Sequence, residues 1–322
     1  MKIHQKTEAE TKGIKRMAVG FLTAFLVAGC ERGYFRADSI SYGRLEMNRR
    51  VKKKKRRKIL VMDIDGTLLN SQKRIGAATK KAIIKMQKKG HKVVLASGRP
   101  TTGVLPIGRE LQLEKYKGYL LAFNGAYIVE CGTGEVIWSV VLDGSVIPQM
   151  YDFAARAECG LAVHVGNEAI SAFEPDDYIT MEAYMNGMPV RRVENFVDFV
   201  KFGVYKCLMT ADPARAAVLE KQLQERFPDD INVSRSAPYF IEVMPRMVDK
   251  AAALDVLLKK IGFSWEDTVV CGDGYNDVSM INCGKVGVAM GNAQPEVKAA
   301  ADYVTKDNDS DGLVKVIRKF II

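Results

Sequence analysis

Short apolar runs alternate with segments of helical periodicity from residue 59 onward. Ile59–Met62 is an unbroken apolar run that predicts a buried strand, and Gly76–Lys89 follows it as an amphipathic helix with apolar positions between lysines. The alternation continues with strands at Lys92–Ala96 and Tyr119–Phe123, separated by a helix that begins near Thr101. Strands that alternate with helices predict an α/β fold with a doubly wound parallel sheet.

The pattern changes after the third strand. Residues 127–138 predict a β-hairpin that turns at Gly132-Thr133-Gly134. A separate α/β segment follows, and we predict that residues 136–244 form a cap domain inserted into the first. Its predicted helices are Val146–Glu158, Asp177–Met185 and Pro213–Arg226, and its predicted strands are Leu161–Val165, Tyr205–Thr210, Ile231–Ser234 and Tyr239–Met244.

The first pattern returns near residue 245. Its predicted helices are Asp249–Ile261, Tyr275–Ile281, Pro295–Ala300 and Leu313–Lys319, and its predicted strands are Thr268–Cys271 and Val286–Ala289. We therefore predict a core built from residues 56–135 and 245–322. Residues 1–55 remain as an N-terminal arm outside that core.

The net positive charge is concentrated at the N-terminal end of the chain. The net charge of the chain is +10; residues 1–58, which end in the dense run Lys52–Lys58, carry +12, and the remainder carries −2. This distribution argues against a nucleic-acid surface on the folded body. We predict that the arm is disordered, and contact with anionic lipid or nucleic acid is the alternative.

The arm also contains one short apolar segment, Met17–Gly29. It is shorter than the about 20 residues that a membrane span needs. It has the length of a signal-peptide core, and Val27-Ala28-Gly29-Cys30 resembles a lipoprotein cleavage box, whereas Glu8 and Glu10 argue against export. We predict a cytoplasmic protein. A membrane anchor at Cys30 and a start codon placed too early are the alternatives.

Cysteine and histidine offer little chemistry. The six cysteines are scattered without a Cys-x-x-Cys pair, which argues against a structural zinc site or a disulfide framework and fits a reducing compartment. Three histidines occur, and we predict core or surface roles for His91 and His164.

Two aspartates directly follow the first strand. Asp63 and Asp65 are separated by one residue, so the strand alternation places both side chains on one side, and Gly66 allows a sharp turn after them. The carboxyl end of a parallel strand is where open α/β sheets bind ligands. Two carboxylates there repel each other and imply a cation, a shared proton, or both. A solvated Asp-Gly turn is the alternative.

A second strand, Val269–Cys271, ends in a similar sequence. Asp273 and Asp277 follow it within Gly-Asp-Gly-Tyr-Asn-Asp, and a parallel arrangement would bring them to the first aspartate pair. Oxygen ligands of this kind favour Mg²⁺. Ser97 and Gly98 offer a hydroxyl and a backbone N–H at a helix start, which suit an anion or a simple helix cap. Lys250 begins a helix, an unfavourable position for a cation unless an anion is near.

These segments resemble the motifs of the haloacid dehalogenase-like (HAD) superfamily, closest to its Cof-type subfamily IIB. The resemblance rests on Asp63–Leu69, on Ser97-Gly98-Arg99-Pro100, on Asn124-Gly125-Ala126, on Lys250 and on Gly272–Asp277, and it covers about residues 56–322. It implies a Rossmann-like core and an α/β cap between the second and third motifs. Arg246–Ala251 lacks the glycines that usually flank the lysine, and Ser279 stands where proline or an acid is common.

The resemblance also implies roles. Asp63 would be the nucleophile and a metal ligand, and Asp65 the general acid/base, reaching the metal through its backbone carbonyl. Asp65 then needs a raised pKa, which a neighbouring carboxylate would favour. The other implied roles are phosphate binding by the Ile64 backbone, Ser97, Gly98, Lys250 and Asn276, a metal contact from Asp273, and support of the site by Asp277 and Asn124.

We therefore predict a Mg²⁺-dependent phosphatase that hydrolyses a small phosphorylated metabolite, such as a sugar phosphate, through an aspartyl-phosphate. A phosphomutase on the same scaffold is the enzymatic alternative. A non-catalytic protein associated with membrane or nucleic acid, with a vestigial site, is the alternative that the basic arm suggests. The particular substrate and the oligomeric state are left open by the sequence.

Overall fold

The structure, a computed structural model, describes residues 56–227 and 231–322. The arm predicted for residues 1–55, with its apolar segment and Cys30, lies outside the described residues. Within the described ranges, no helix combines the length and the apolar composition needed to cross a membrane. The five cysteines that these ranges contain are free thiols.

The larger sheet has eight strands in the order β14-β13-β12-β1-β2-β3-β4-β5. The strands are β1 (Ile59–Met62), β2 (Lys92–Ala96), β3 (Tyr119–Ala122), β4 (Tyr127–Glu130), β5 (Val136–Ser139), β12 (Thr268–Gly272), β13 (Val286–Ala289) and β14 (Tyr303–Val304). The six strands from β14 to β3 pair in parallel, and β4 and β5 add an antiparallel edge. The chain therefore reverses its winding direction between β1 and β12, the switch point where such sheets bind ligands.

Helices cover both faces of this sheet. They are α1 (Ala77–Lys88), α2 (Thr101–Glu110), α3 (Leu113–Tyr116), α8 (Lys250–Lys260), α9 (Val278–Cys283), α10 (Pro295–Ala300) and α11 (Gly312–Phe320), with α4–α7 in the second sheet region. Alternate residues of β1 enter two different apolar clusters: Leu60 and Met62 pack on one face, Ile59 and Val61 on the other. This double burial explains why the strand is an unbroken apolar run.

The second sheet has six strands in the order β10-β11-β9-β6-β7-β8. They are β6 (Gly160–Val165), β7 (Glu168–Ser171), β8 (Val190–Arg192), β9 (Cys207–Thr210), β10 (Ile231–Ala237) and β11 (Phe240–Pro245), and the pairing is antiparallel except between β7 and β8. Its helices are α4 (Ile147–Ala157), α5 (Asp177–Met185), α6 (Phe196–Phe199) and α7 (Pro213–Arg226).

One face of the second sheet is apolar and the other is polar. Leu161 and Val163 of β6 join an apolar cluster that includes Met150 of α4 and Leu223 of α7. Because successive strand residues point to opposite faces, His164 lies on the other face. That polar face looks away from α4 and α7, and part of it forms a wall of the site described below.

The predicted helices and strands agree with the structure to within a few residues in most cases, and the α/β class with a parallel core sheet and a cap is confirmed. The differences concern the cap boundary and several short elements. Val136–Ser139 pairs with β4 in the larger sheet, although the predicted cap began at residue 136. The elements that were not predicted are the strands Glu168–Ser171, Val190–Arg192 and Tyr303–Val304 and the helices Leu113–Tyr116 and Phe196–Phe199, each of four residues or fewer.

Candidate active site

The motifs meet at the switch point of the larger sheet. The side chains that follow β1, β2 and β12 line a cleft of about 400 Å³, whose opposite wall is formed by α5 and by β9–β11 of the second sheet. This volume lies near the lower end of the range of about 300–1,000 Å³ that is typical of small-molecule sites. The cleft is bordered by Asp63, Asp65, Ser97 and Gly98, and by Asp273 and Asp277, which follow β12.

Lys250 forms the centre of a buried charge cluster. Its Nζ donates to Asp63 Oδ1 and to Asp277 Oδ1, each at 2.7 Å, and its side chain is fully buried. The helix that carries it is capped by Asp249, which accepts from the backbone N–H groups of Ala251 and Ala252. Burial opposes the charged form of the lysine, but the carboxylates of Asp277 and Asp63 raise the pKa of Lys250 above its ordinary value.

Two carboxylates around one ammonium leave negative charge in excess. Burial, followed by the charge of Asp277, raises the pKa of Asp63 well above its ordinary value, and Lys250 only partly opposes this. Asp277 Oδ2 also accepts from the backbone N–H groups of Asp273 and Gly274, both at 3.0 Å. These bonds fix the loop after β12 in the position that brings its aspartates to β1.

Asp273 contacts the loop after β1. Thr67 Oγ1 donates to Asp273 Oδ1 at 2.7 Å, and burial together with the nearby charge of Asp277 raises the pKa of Asp273 to about 6 against that hydrogen bond. Gly66 has a φ of +81°, and a Cβ placed on it would lie 2.1 Å from Asp273 Oδ2. Glycine is therefore required there for both the turn and the close approach.

The carboxylates of Asp63, Asp273 and Asp277 fit a divalent cation. One oxygen from each lies within 4.8 Å of the other two. Opposite ligands of an octahedral Mg²⁺ are separated by about 4 Å, so small side-chain adjustments would bring these oxygens to bonding distance. Burial is the main cause that raises the pKa values of Asp63 and Asp273, and a cation bound between them would favour their charged forms. The predicted metal ligands were the side chains of Asp63 and Asp273 and the backbone carbonyl of Asp65, and the side chain of Asp277 now joins the two predicted side chains.

Asp65 is held by two cations that the sequence-based roles did not include. Arg99 donates from Nε to Oδ2 at 2.6 Å and from Nη2 to Oδ1 at 2.8 Å, and Lys73 Nζ donates to Oδ1 at 2.8 Å. Burial would raise the pKa of Asp65, but Arg99 and then Lys73 hold it below its ordinary value. The expected raised pKa is therefore wrong for this arrangement, since these cations outweigh the effect of burial. The sequence did point to Arg99 as a candidate site residue, because it lies in the motif Ser97-Gly98-Arg99-Pro100.

The predicted anion-binding groups Ile64, Ser97, Gly98 and Asn276 lie in the loops that follow β1, β2 and β12. Ser97 is buried, and its carbonyl accepts from the backbone N–H of Asn124 at 2.9 Å. Asn276 Nδ2 donates to Asn124 Oδ1 at 3.0 Å, and a Cβ on Gly98 would lie 3.1 Å from the same oxygen. Ile64 is buried, and its carbonyl accepts from the backbone of the following turn.

The cap wall of the cleft carries buried polar side chains that sequence reasoning missed. Lys206 Nζ donates to Glu242 Oε1 at 2.8 Å and lies 3.9 Å from Glu182 Oε1. Glu182 Oε2 lies 3.1 Å from His164 Nε2. Asn124 Nδ2 donates to Glu242 Oε2 at 3.0 Å and so joins this network to the core. The sequence feature that could have revealed these side chains is a single charged residue inside an apolar strand, such as Glu242 in β11.

A second cap contact lies at the end of α5. A Cβ on Gly103 of α2 would lie 2.1 Å from Asn186 Oδ1, so the cap packs here directly against the core backbone. In the part of the chain that the structure describes, this Asn186 oxygen is buried and has no hydrogen-bond partner. His164, for which a core or surface role was predicted, is buried in the cap network.

Comparison with known proteins gives a consistent result. The model of the haloacid dehalogenase-like hydrolase family matches residues 60–317. A solved haloacid dehalogenase-like hydrolase from Bacteroides thetaiotaomicron is 40% identical, with a TM-score of 0.78, over 82% of this chain and 99% of that one. The 5-amino-6-(5-phospho-D-ribitylamino)uracil phosphatase YcsE of Bacillus subtilis is 30% identical over 82% of this chain and 96% of its own.

A third relative identifies the subclass to which this chain is similar. The structure of the HAD subclass IIB sugar phosphatase BT4131 is 29% identical to this chain, with a TM-score of 0.71, over 82% of this chain and all of its own. The chain therefore belongs to the haloacid dehalogenase-like hydrolase family, and the predicted Cof-type resemblance is confirmed. It is an enzyme of the phosphoric monoester hydrolase class.

Proposed function

We propose that this protein is a Mg²⁺-dependent phosphatase that hydrolyses a small phosphorylated metabolite by way of a phosphoryl group carried on Asp63. The observation that carries the proposal is the charge cluster in which Lys250 bonds Asp63 and Asp277 beside Asp273. A carboxylate suited to nucleophilic attack, a buried ammonium and three carboxylates that fit a cation lie together at the switch point of the sheet. These are the groups that phosphoryl transfer needs.

Asp63 is proposed as the nucleophile. It attacks phosphorus, the leaving oxygen departs on the opposite side, and water later cleaves the acyl-phosphate to regenerate the carboxylate. Lys250 neutralises charge beside the transferring group. Asp63, Asp273 and Asp277 would hold Mg²⁺, with the Asp65 backbone carbonyl as a further ligand, and the bound ion would offset phosphate charge and orient the ester.

Asp65 is proposed as the general acid and base. As the carboxylate held by Arg99 and Lys73, it is in the form that accepts a proton from water in the second step. In the first step it must hold a proton to give to the leaving oxygen. Transfer of at least one of these cations from Asp65 to the phosphate of the entering ester would allow this, since Arg99 and Lys73 both line the cleft.

Phosphate oxygens are proposed to bind to Ser97, to the backbone N–H groups of Ile64 and Gly98, and to Asn276. The substrate class that we favour is a sugar phosphate or similar ester. The support for it is that one structural relative is described as a sugar phosphatase and another relative acts on a phosphoribityl compound. We propose that the cap between β5 and α8 selects the substrate, that the core does the chemistry, and that the protein is cytoplasmic.

The test is phosphate release by the full chain from a panel of sugar phosphates and p-nitrophenyl phosphate, with Mg²⁺ or with chelator. Metal-dependent release that is lost in Asp63→Asn, with an unchanged melting curve, is the expected result. Appreciable turnover by Asp63→Asn would remove the covalent mechanism. Transfer of the phosphoryl group to a second sugar hydroxyl, without release of phosphate, would instead identify a mutase.

A further inference from the structure

The charge of the folded body is divided between different parts of the chain. Residues 66–109 contain ten Lys and Arg residues and no Asp or Glu, and residues 312–322 contain three Lys and Arg residues and again no acid. Residues 110–311 contain 18 Lys and Arg residues against 31 Asp and Glu residues. The slightly acidic total of the body therefore conceals a strongly basic part and a strongly acidic part.

The two acid-free segments contain helices that lie side by side. α1 belongs to residues 66–109 and α11 to residues 312–322, and Ile83 of α1 packs in the same apolar cluster as Val316 of α11. At the first turns, Thr79 Oγ1 donates to Asp311 Oδ1 at 3.4 Å. The two helices therefore begin together and cover the same face of the larger sheet.

The basic run of the arm joins the body where these helices end. Lys58 Nζ donates to the carbonyl of Phe320, the last residue of α11, at 2.5 Å. The backbone N–H of Lys58 donates to Nδ1 of His91, which follows α1, at 3.0 Å. The seven consecutive cations of Lys52–Lys58 therefore lead in the sequence directly to the ends of both helices.

The outer surface of the two helices presents cations without acids. Lys80 pairs with Glu110 at one border of this surface, and Arg56 pairs with Asp267 at another. Lys315 and Lys319 also lie over the ring of Tyr303. Six exposed cations make no ion pair within the described ranges, and we call them the basic face: Lys81, Lys85, Lys88, Lys315, Arg318 and Lys319.

Helix stability accounts for only part of this pattern. Cations in the last turn interact favourably with the helix dipole, and both helices have them there. The same dipole favours acids in the first turn, yet neither helix has one, and Lys80 lies in the first turn of α1. Exposed helices usually mix both signs of charge. Unpaired cations along two adjacent helices therefore indicate an anionic partner.

We propose that the basic face, together with the run Lys52–Lys58, docks this protein on an anionic lipid bilayer. Stable anchoring takes an apolar insertion and a polybasic patch together, and the arm carries the apolar segment Met17–Gly29 ahead of the run. Nucleic-acid surfaces add exposed aromatic rings for stacking. α1 has no aromatic residue, and the one aromatic residue of α11, Phe320, is partly buried.

This docking leaves the active-site cleft open. Each helix runs back from the carboxyl edge of the larger sheet, where the cleft lies, to the amino edge: α1 leads to the start of β2, and α11 ends beside Lys58, which precedes β1. Most cations of the basic face lie in the later turns. The bilayer therefore meets the edge of the sheet opposite the cleft. The inference goes beyond the proposed phosphatase activity and does not depend on it.

The first arm of the test is cosedimentation of the unaltered full chain with vesicles of phosphatidylcholine alone or with about 30% phosphatidylglycerol, in about 0.1 M NaCl. We expect at least about tenfold stronger partitioning onto the anionic vesicles, and at least about a tenfold loss in about 0.5 M NaCl. Equal partitioning onto both kinds of vesicle overturns the proposal. Tighter binding to a DNA duplex than to the anionic vesicles at the same salt assigns the face to nucleic acid and also overturns it.

The second arm uses the triple variant Lys85→Gln/Lys88→Gln/Arg318→Gln in the full chain. Each cation near an anionic bilayer strengthens partitioning about fivefold, so we expect the triple variant to lose about 100-fold. Partitioning equal to that of the unaltered protein overturns the proposal, because the arm alone would then bind the bilayer.

The matched control is Lys201→Gln/Lys221→Gln/Arg226→Gln, which removes three exposed cations of the cap and changes the net charge by the same amount. It should stay within about threefold of the unaltered protein. An equal loss in the control and in the basic-face variant shows that net charge alone is at work, and it overturns the docking face. If the basic-face variant fails to fold, the comparison of lipids and salt on the unaltered chain decides.

Discussion

Glu182 provides a quantitative prediction about acid stability. It is a buried carboxylate on α5, and burial alone would raise its pKa, but His164 and then Lys206 lower the pKa of Glu182 from 4.5 to about 2. A group with a lowered folded pKa stabilises the protein above its unfolded pKa. That stabilisation is lost as the pH falls from about 4.5 through about 2.

The size of the effect follows from the two pKa values. Each pKa unit corresponds to about 1.4 kcal/mol, so ionised Glu182 contributes about 3 kcal/mol to the free energy of unfolding at pH 7. At pH 3 the same values leave about 1.4 kcal/mol. Glu182→Gln should therefore be about 3 kcal/mol less stable than the unaltered protein at pH 7, and the gap should narrow to about half by pH 3.

The assay is urea denaturation of both proteins at a series of pH values from 7 to 3, followed by circular dichroism. Glu225→Gln, which removes an exposed carboxylate on the cap helix α7, is the control and should follow the unaltered protein throughout. A stability gap for Glu182→Gln that stays constant between pH 7 and pH 3 would refute the reasoning. It would show that packing, and not ionisation, causes the loss.

Three further predictions concern the catalytic side of the cleft. Gly66→Ala should destabilise the protein by more than about 1 kcal/mol and sharply reduce phosphate release, because the new Cβ meets Asp273 at a positive φ; a normal melting temperature with normal activity would contradict the geometry. Arg99→Leu removes the first of the cations that lower the pKa of Asp65, so the acid limb of the pH–rate profile should move to higher pH; an unmoved limb would show that Asp65 does not titrate there. Deletion of residues 1–55 should leave kcat/KM unchanged, because every proposed site residue lies from Asp63 onward; a large fall would assign the arm to the enzyme.

Much of the fold could be predicted because its strands carry a strong one-dimensional signal. Ile59–Met62 and Thr268–Gly272 are buried on both faces and are therefore nearly continuous apolar runs. The missed strand Val190–Arg192 lies at the edge of the second sheet, where pairing with β7 determines its conformation more than its own composition does. Such tertiary control of an edge strand is not visible in a local pattern.

The aspartates of the site were predictable because they directly follow strands, where the backbone direction fixes their position. Their charge partners were harder to predict. Arg99 and Lys73 reach Asp65 from the loops after β2 and β1, and no sequence spacing states that their side chains converge. The pKa of Asp65 depends on that convergence, so its direction could not be predicted without the fold.

The contact between Asn186 and Gly103 has an energetic consequence for turnover. The buried Asn186 oxygen has no hydrogen-bond partner in the described ranges, and an unsatisfied polar atom costs about 1–3 kcal/mol. Separation of the cap from α2 would let water reach that oxygen and remove the cost. Opening of the seam between the two domains would therefore regain hydration at Asn186, and closing would give it up again.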